Sequence, residues 1–166
     1  MKQRTKVIFL ALTVIGSFMI YCVYYYSNMI KNAPFRYSDF EYISIQYGTR
    51  DSMLNSYNSA THEYQYLERN KELVKKNLVL SSDDLLYLHR KAMEMGFWNV
   101  DDDMTTPRQD SLEKIDVPRY ILTFQYKEKG KTVTVDADYP GNQKMLDATK
   151  TTIEAVLERI NVANAR

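Results

Sequence analysis

The sequence predicts an α+β domain held behind one N-terminal transmembrane helix. Three observations carry that prediction. The first is an uncharged apolar run from Val7 to Tyr26. The second is a series of short segments with two-residue alternation, read as an antiparallel sheet of about five or six strands. The third is a pair of capped segments with helical spacing. They follow blocks of strands and do not alternate with each one, which excludes a doubly wound parallel sheet and puts both helices on one face.

The apolar run, VIFLALTVIGSFMIYCVYYY, fills a helix of about 30 Å, the thickness of a bilayer's hydrocarbon layer. Lys2, Arg4 and Lys6 precede it, and Tyr21, Tyr24, Tyr25 and Tyr26 crowd its far end. Basic residues stay on the cytoplasmic side, and tyrosines suit the headgroup level. The expected topology is therefore a single pass in the inner (cytoplasmic) membrane with the N-terminus inside. Residues 1–6 form the cytoplasmic region, 7–26 the anchor in membrane lipid, 27–38 a tether broken by Pro34, and 39–166 an extracytoplasmic domain. A cleaved signal peptide is the first rival. It needs small residues at the cleavage site, and neither Ser27-Asn28-Met29 nor Lys31-Asn32-Ala33 supplies them. A lipid anchor on Cys22 is the second rival, and the bulky Tyr21 before that cysteine argues against it.

Composition narrows the chemistry. Of the 22 basic residues four lie within residues 1–31, where none of the 21 acidic ones falls. The rest of the chain is thus weakly acidic, at about −3, which is no nucleic-acid footprint. Cys22 is the only cysteine and sits in the apolar run, so the domain has neither a disulfide framework nor thiolate chemistry.

Along the domain, Phe40–Tyr47 reads as a strand with Ile43, Ile45 and Tyr47 on one face, ended by Gly48. Ser52–Tyr57, His62–Glu68 and Leu73–Leu80 read as three more strands, the second of these with Tyr64 and Tyr66 on one face and Leu67 opposite. Ser81 followed by Asp84 starts a helix carrying Leu85, Leu88, Ala92 and Met95, and Gly96 stops it. Phe97 and Trp98 are expected to fold back onto the core. Asn99–Val117 is the one long polar stretch of the domain and is expected to be a mobile loop. Tyr120–Lys127 and Thr132–Asp138 form a hairpin, with Gly130 expected to supply a positive φ. A last helix, Gln143–Asn161, carries Leu146, Thr149, Ile153, Val156, Leu157 and Ile160 as its buried stripe.

The order of an N-terminal sheet, the LSSDDL helix start, the GFW after that helix, a hairpin and a final helix resembles small membrane-anchored bacterial envelope domains of unknown function. That resemblance covers most of residues 39–160 and carries over no active-site residue. It implies only that such a chain need not be an enzyme.

Candidate chemistry is sparse. His62 and His89 lack metal-ligand spacing. Asp101, Asp102 and Asp103 are oxygen donors that calcium could use with Asp110, but no EF-hand pattern surrounds them. Asp136 and Asp138 stand at i and i+2 as a conceivable acid/base pair for a hydrolase, and are expected to face water. No G-x-S-x-G or glycine-rich phosphate loop occurs, so neither a nucleotide nor any other cofactor is expected. The ten tyrosines outside the anchor are the most suggestive group. Tyr42, Tyr64 and Tyr66, with Asp101–Asp103, form the candidate interaction surface. The expected role is a non-enzymatic accessory subunit docking another envelope protein. The alternative is a small-ligand or glycan sensor with a tyrosine-lined pocket near residues 99–117.

Overall fold

A computed structural model describes residues 2–32, 35–107 and 116–166. The chain divides into a helical unit, residues 1–35, and a unit built around a sheet, residues 36–166. In the first, α1 spans Lys2–Asn32. Its stretch Lys6–Ser27 is long and apolar enough to cross a membrane, and none of it is buried; a signal sequence meets the same description. The serine and threonine hydroxyls within it are satisfied locally, Thr13 donating to the Phe9 carbonyl (2.9 Å) and Ser17 to that of Thr13 (2.9 Å). This is what an apolar solvent demands of a polar side chain. The helix continues through Ser27–Asn32, so the expected tether is helical over its first half. Pro34 lies outside the described residues. Tyr37–Asp39, at the tether's other end, forms a short 3-10 turn that belongs to the domain: the Tyr37 hydroxyl donates to the Ser82 carbonyl (3.1 Å).

The second unit is α+β, as expected. Its strands are β1 (Phe40–Thr49), β2 (Ser52–Asn58), β3 (Glu63–Leu67), β4 (Leu73–Asn77), β5 (Asp103–Met104), β6 (Pro118–Tyr126) and β7 (Gly130–Asp136). They form one seven-stranded sheet in the order β4-β3-β2-β1-β6-β7-β5. The expectation of a purely antiparallel sheet of five or six strands is corrected here. The seventh strand is β5, only two residues long, and it pairs parallel to β7. It arises inside the polar stretch read as a mobile loop, because Met104 is fully buried opposite Val135. Residues 108–115 of that stretch, including Asp110, lie outside the described residues.

Pairing register sorts the side chains. Ile43 faces Phe124, Ile45 faces Leu122, and Leu122 faces Val133, all fully buried on the inner face. Ser44, Gln46, Thr123 and Thr132 alternate onto the outer face, as the two-residue period requires. Gly48 does not end β1. It sits at a register shift where the Ser52 carbonyl passes so close that a Cβ would stand 2.1 Å from it. Nor does Gly130 adopt a positive φ; among the described residues only His62, Lys71 and Gly96 do. Gly130 instead leaves room for the Gln125 side-chain amide, 2.5 Å from where its Cβ would lie.

Helix α2 (Ser82–Glu94) begins at a full capping box. The Ser81 hydroxyl accepts from the Asp84 amide (3.2 Å), and the Asp84 carboxylate accepts from the Ser81 amide (3.1 Å). Its other end closes with Gly96 in the left-handed region, φ 70°. Burial alone would raise the Asp84 carboxyl, but the Ser81 hydrogen bonds and the charges of Arg166 and Arg159 hold it below the usual range. Replacing Ser81 by alanine removes both bonds of its hydroxyl, the one accepted from the Asp84 amide and the one donated to the Asp84 carboxylate, and is expected to cost about 1 kcal/mol, read as a lower urea midpoint with unchanged slope. Helix α3 (Gln143–Asn164) buries Leu146, Thr149, Ile153, Val156 and Ile160, with Leu157 at the margin. Phe97 and Trp98 fold onto the core as expected, Trp98 meeting Phe124 edge-on at 5.3 Å and Tyr126 at 5.7 Å.

Candidate functional site

The path of α3 decides which part of the inner face stays open. Near its start, Lys150 Nζ donates to the Ala137 carbonyl just past β7 (3.2 Å). At its end, Asn164 meets Lys76 on β4. The helix therefore crosses the sheet obliquely and leaves a corner of β1, β3 and β6 partly uncovered. That corner is made of tyrosines. Tyr47 stands opposite Tyr120 and their rings stack at 6.4 Å. Tyr64 stacks on Tyr66 at 5.0 Å and meets Tyr57 edge-on at 6.3 Å. Lys76 Nζ lies 5.8 and 5.5 Å from the Tyr64 and Tyr66 ring centres, a cation held by two π faces. Burial, and then hydrogen bonding to Tyr64, push the Tyr47 hydroxyl well above the ordinary phenol range. The Tyr47 phenol therefore stays protonated at neutral pH, and these tyrosines rim an apolar shelf.

Beside the shelf a cavity of about 300 Å³ opens between α3 and the sheet, lined by Tyr120, Val135, Ala137, Lys150, Ile153, Glu154 and Leu157. Its walls suit an apolar side chain, and it contains no nucleophile beside a base. A second depression, about 320 Å³, lies at β3 and β4 and is polar: Ser56, His62, Glu63, Gln65, Lys75 and Asn77 contribute to it. His62 holds a left-handed backbone, φ 59°, and its buried Nδ1 has no hydrogen-bond partner among the described residues.

The carboxylates at the end of β7 do not face water together. Asp136 is fully buried. Arg119, opposite it in the hairpin register, grips it with two hydrogen bonds, Nε to Oδ1 at 2.7 Å and Nη2 to Oδ2 at 3.0 Å. The Thr106 amide adds a third at 2.9 Å, and Arg50 Nε stands 3.1 Å away. Arg50 also reaches both oxygens of the half-exposed Asp138, at 2.7 and 3.0 Å. Burial alone would raise the Asp136 carboxyl, but the Arg119 and Thr106 hydrogen bonds and the two arginine charges outweigh it and keep it ionised. A carboxylate so held cannot give up a proton as a general acid. The group is a clasp joining the β1–β2 turn, the segment after β5, and the β6–β7 pair.

The structure does not bring the six sequence-derived candidates together. Tyr42 lies half-buried on the outer face of β1, opposite Gln125. Tyr64 is buried on the inner face, Tyr66 is half-buried beside it, and Leu67 is the exposed one, at 41%. The arrangement that would have offered both tyrosines to solvent is thus inverted. Asp101, Asp102 and Asp103 are exposed at the far edge of the sheet, five strand spacings or about 24 Å from β3. Tyrosines of β3 and the aspartate run therefore do not line one pocket. Asp102 is engaged by the buried Lys131, which also donates to the Val100 carbonyl (2.5 Å). Asp103 accepts from the Thr105 hydroxyl (2.7 Å) and amide (3.0 Å), bonds that hold its carboxyl below the usual range. Among the described residues no three His, Cys, Asp or Glu side chains converge on a metal position.

His89 is buried, its Nδ1 2.7 Å from the Tyr126 hydroxyl, and lies against Trp98 and Tyr37. Burial and the Arg90 charge lower its basicity, so it sits neutral in the aromatic core. Sequence reasoning passed over Arg50, Arg119 and the Tyr47–Tyr120 pair. The hairpin turn was the available signal: counting back from it sets Arg119 against Asp136.

Comparison of the chain with protein-family models, with curated proteins and with solved structures finds no match. The functional reading therefore rests on the geometry.

Proposed function

We propose that this chain is a single-pass membrane protein, N-terminus in the cytoplasm, that presents a non-catalytic α+β domain outside for docking another envelope protein. One observation carries the reading: the 22 residues Lys6–Ser27 form an apolar helix of which nothing is buried. Phe9, Leu10, Leu12, Phe18 and Ile20 are each more than half exposed. Apolar surface left in water costs about 25 cal/mol per Å², so a helix of this kind needs lipid around it. The basic residues before the run and the tyrosines after it support the orientation. The half-buried Tyr47, Tyr66 and Tyr120, and the arginine-held state of the buried Asp136 carboxylate, support docking over hydrolysis.

The test is alkaline extraction of membranes from cells making the full chain, followed by N-terminal sequencing and protease treatment of spheroplasts. The expected result is an intact N-terminus in the membrane pellet and a domain cut only from outside. A mature form that starts beyond residue 27 and stays soluble overturns the anchor; protection of the domain from outside protease overturns the orientation.

A further inference from the structure

We propose that β4 is a docking edge that accepts one extended segment of a partner protein, an acidic residue seated beside Lys75 and an apolar one beside Leu73. The inference rests on the docking function proposed above and names the surface that performs it.

Strand β4 ends the sheet and pairs only with β3 among the described residues. The Leu78 amide donates to the His62 carbonyl (2.8 Å), and the Glu68 amide to the Glu72 carbonyl (2.9 Å). Backbone groups of an antiparallel strand alternate in direction, so even-numbered residues of this strand bond to β3 and odd-numbered ones turn outward. Leu73, Lys75 and Asn77 thus offer their amides and carbonyls to an added strand. The same three side chains share the outer face, where Leu67 pairs with Leu73 and Gln65 with Lys75. Leu54, two residues before Ser56 on β2, continues that leucine row. Leu54, Leu67 and Leu73 are 39%, 41% and 45% exposed, a contiguous apolar strip running to the open edge. An incoming strand extends the strip with its own apolar side chain.

Charge selects the occupant. Lys75 is exposed and has no ion-pair partner among the described residues, whereas Lys76, on the other face, is occupied by Tyr64, Tyr66 and Asn164. A carboxylate two residues from the apolar position lies opposite Lys75. A second copy fits poorly, since symmetric pairing of β4 centred on Lys75 sets that lysine against itself, and like charges directly opposite repel.

The experiment uses the full chain, isotope-labelled in detergent micelles, and a fluorescent peptide Thr-Thr-Glu-Thr-Val. The expected result is saturable binding that shifts the amide resonances of Leu73, Lys75 and Asn77. It should weaken about tenfold or more with the Thr-Thr-Lys-Thr-Val peptide and on N-methylation of the glutamate. Lys75→Pro removes an outward donor, which an edge strand tolerates, so this variant should keep its fold and lose binding. Lys75→Ala separates the charge from the donor and should retain part of it. Equal binding of the two peptides, unchanged binding by Lys75→Pro, or unshifted β4 amides overturns the proposal. Shifts of the β4 amides with protein concentration alone identify a second copy as occupant and overturn it equally. Photo-crosslinkers placed in cells at Leu73, Asn77, Tyr42 and Tyr66 separate the two claims. Crosslinks to another protein only from Tyr42 or Tyr66 reject the edge and keep the docking function; crosslinks from none reject both.

Discussion

Replacing Asp136 by alanine is expected to destabilise the domain by about 3 kcal/mol or more, the largest effect of any single side chain outside the aromatic core. Removing one partner from a buried ion pair strands the other, and the stranded charge carries the cost. Arg119, its side chain 26% exposed, is stranded here, and Arg50, 14% exposed, is left with the half-exposed Asp138 alone. The Thr106 amide loses its acceptor as well. Asp136→Asn keeps the shape but not the charge and should fall between wild type and alanine in a urea titration. The native carboxyl is depressed, so its contribution is complete above the unfolded aspartate pKa of about 3.9 and is lost as pH falls through the lower folded value. Asp84 and Asp103 are depressed in the same direction. The wild-type domain should therefore lose stability steeply below about pH 4, and Asp136→Ala should show a shallower acid limb. An acid limb identical to wild type would show that this carboxylate is not held in its charged form.

The second large effect concerns the apolar helix. Val14→Arg combined with Phe18→Arg puts two guanidinium groups on one side of its middle, four residues apart. Each arginine at the centre of a spanning helix costs about 2.5–3.5 kcal/mol on insertion. The pair is thus expected to move most of the protein from the alkaline-resistant pellet to the extractable fraction. The folded domain should be unaffected, because the structure divides residues 1–35 from 36–166 as separate compact units. Retention in the pellet after both substitutions would mean that something other than this helix holds the chain to membranes.

The parts of the fold that were legible in the sequence are those encoded by neighbours. The Ser81–Asp84 box, the Gly96 stop, the α3 stripe and the β6–β7 hairpin each need fewer than about twenty residues of context. Features set by register over long separations were not legible. Arg50 meets Asp138 across 88 positions, and the β1–β6 and β6–β7 pairings together bring it there. Strand β5 is two residues long, too short for any period, and it pairs parallel because the chain returns from α2 to the far edge. Asp136 was read onto the correct face of its strand but into water, since alternation reports direction and not what lies across from it. The tyrosines were singled out for their chemistry, yet which stay open depends on the slant of α3, and no local pattern records a slant.

The two-residue length of β5 carries one more consequence. For copies of a β-protein to zip into an endless ribbon, each must lend a long free margin on its left and another on its right. Here one margin is a stub aligned with Thr134 and Val135 alone, with only residues 130–133 of β7 beside it, a short and broken run for a neighbour. If β4 recruits a strand as proposed, that recruitment would stop after one guest and would not seed fibres.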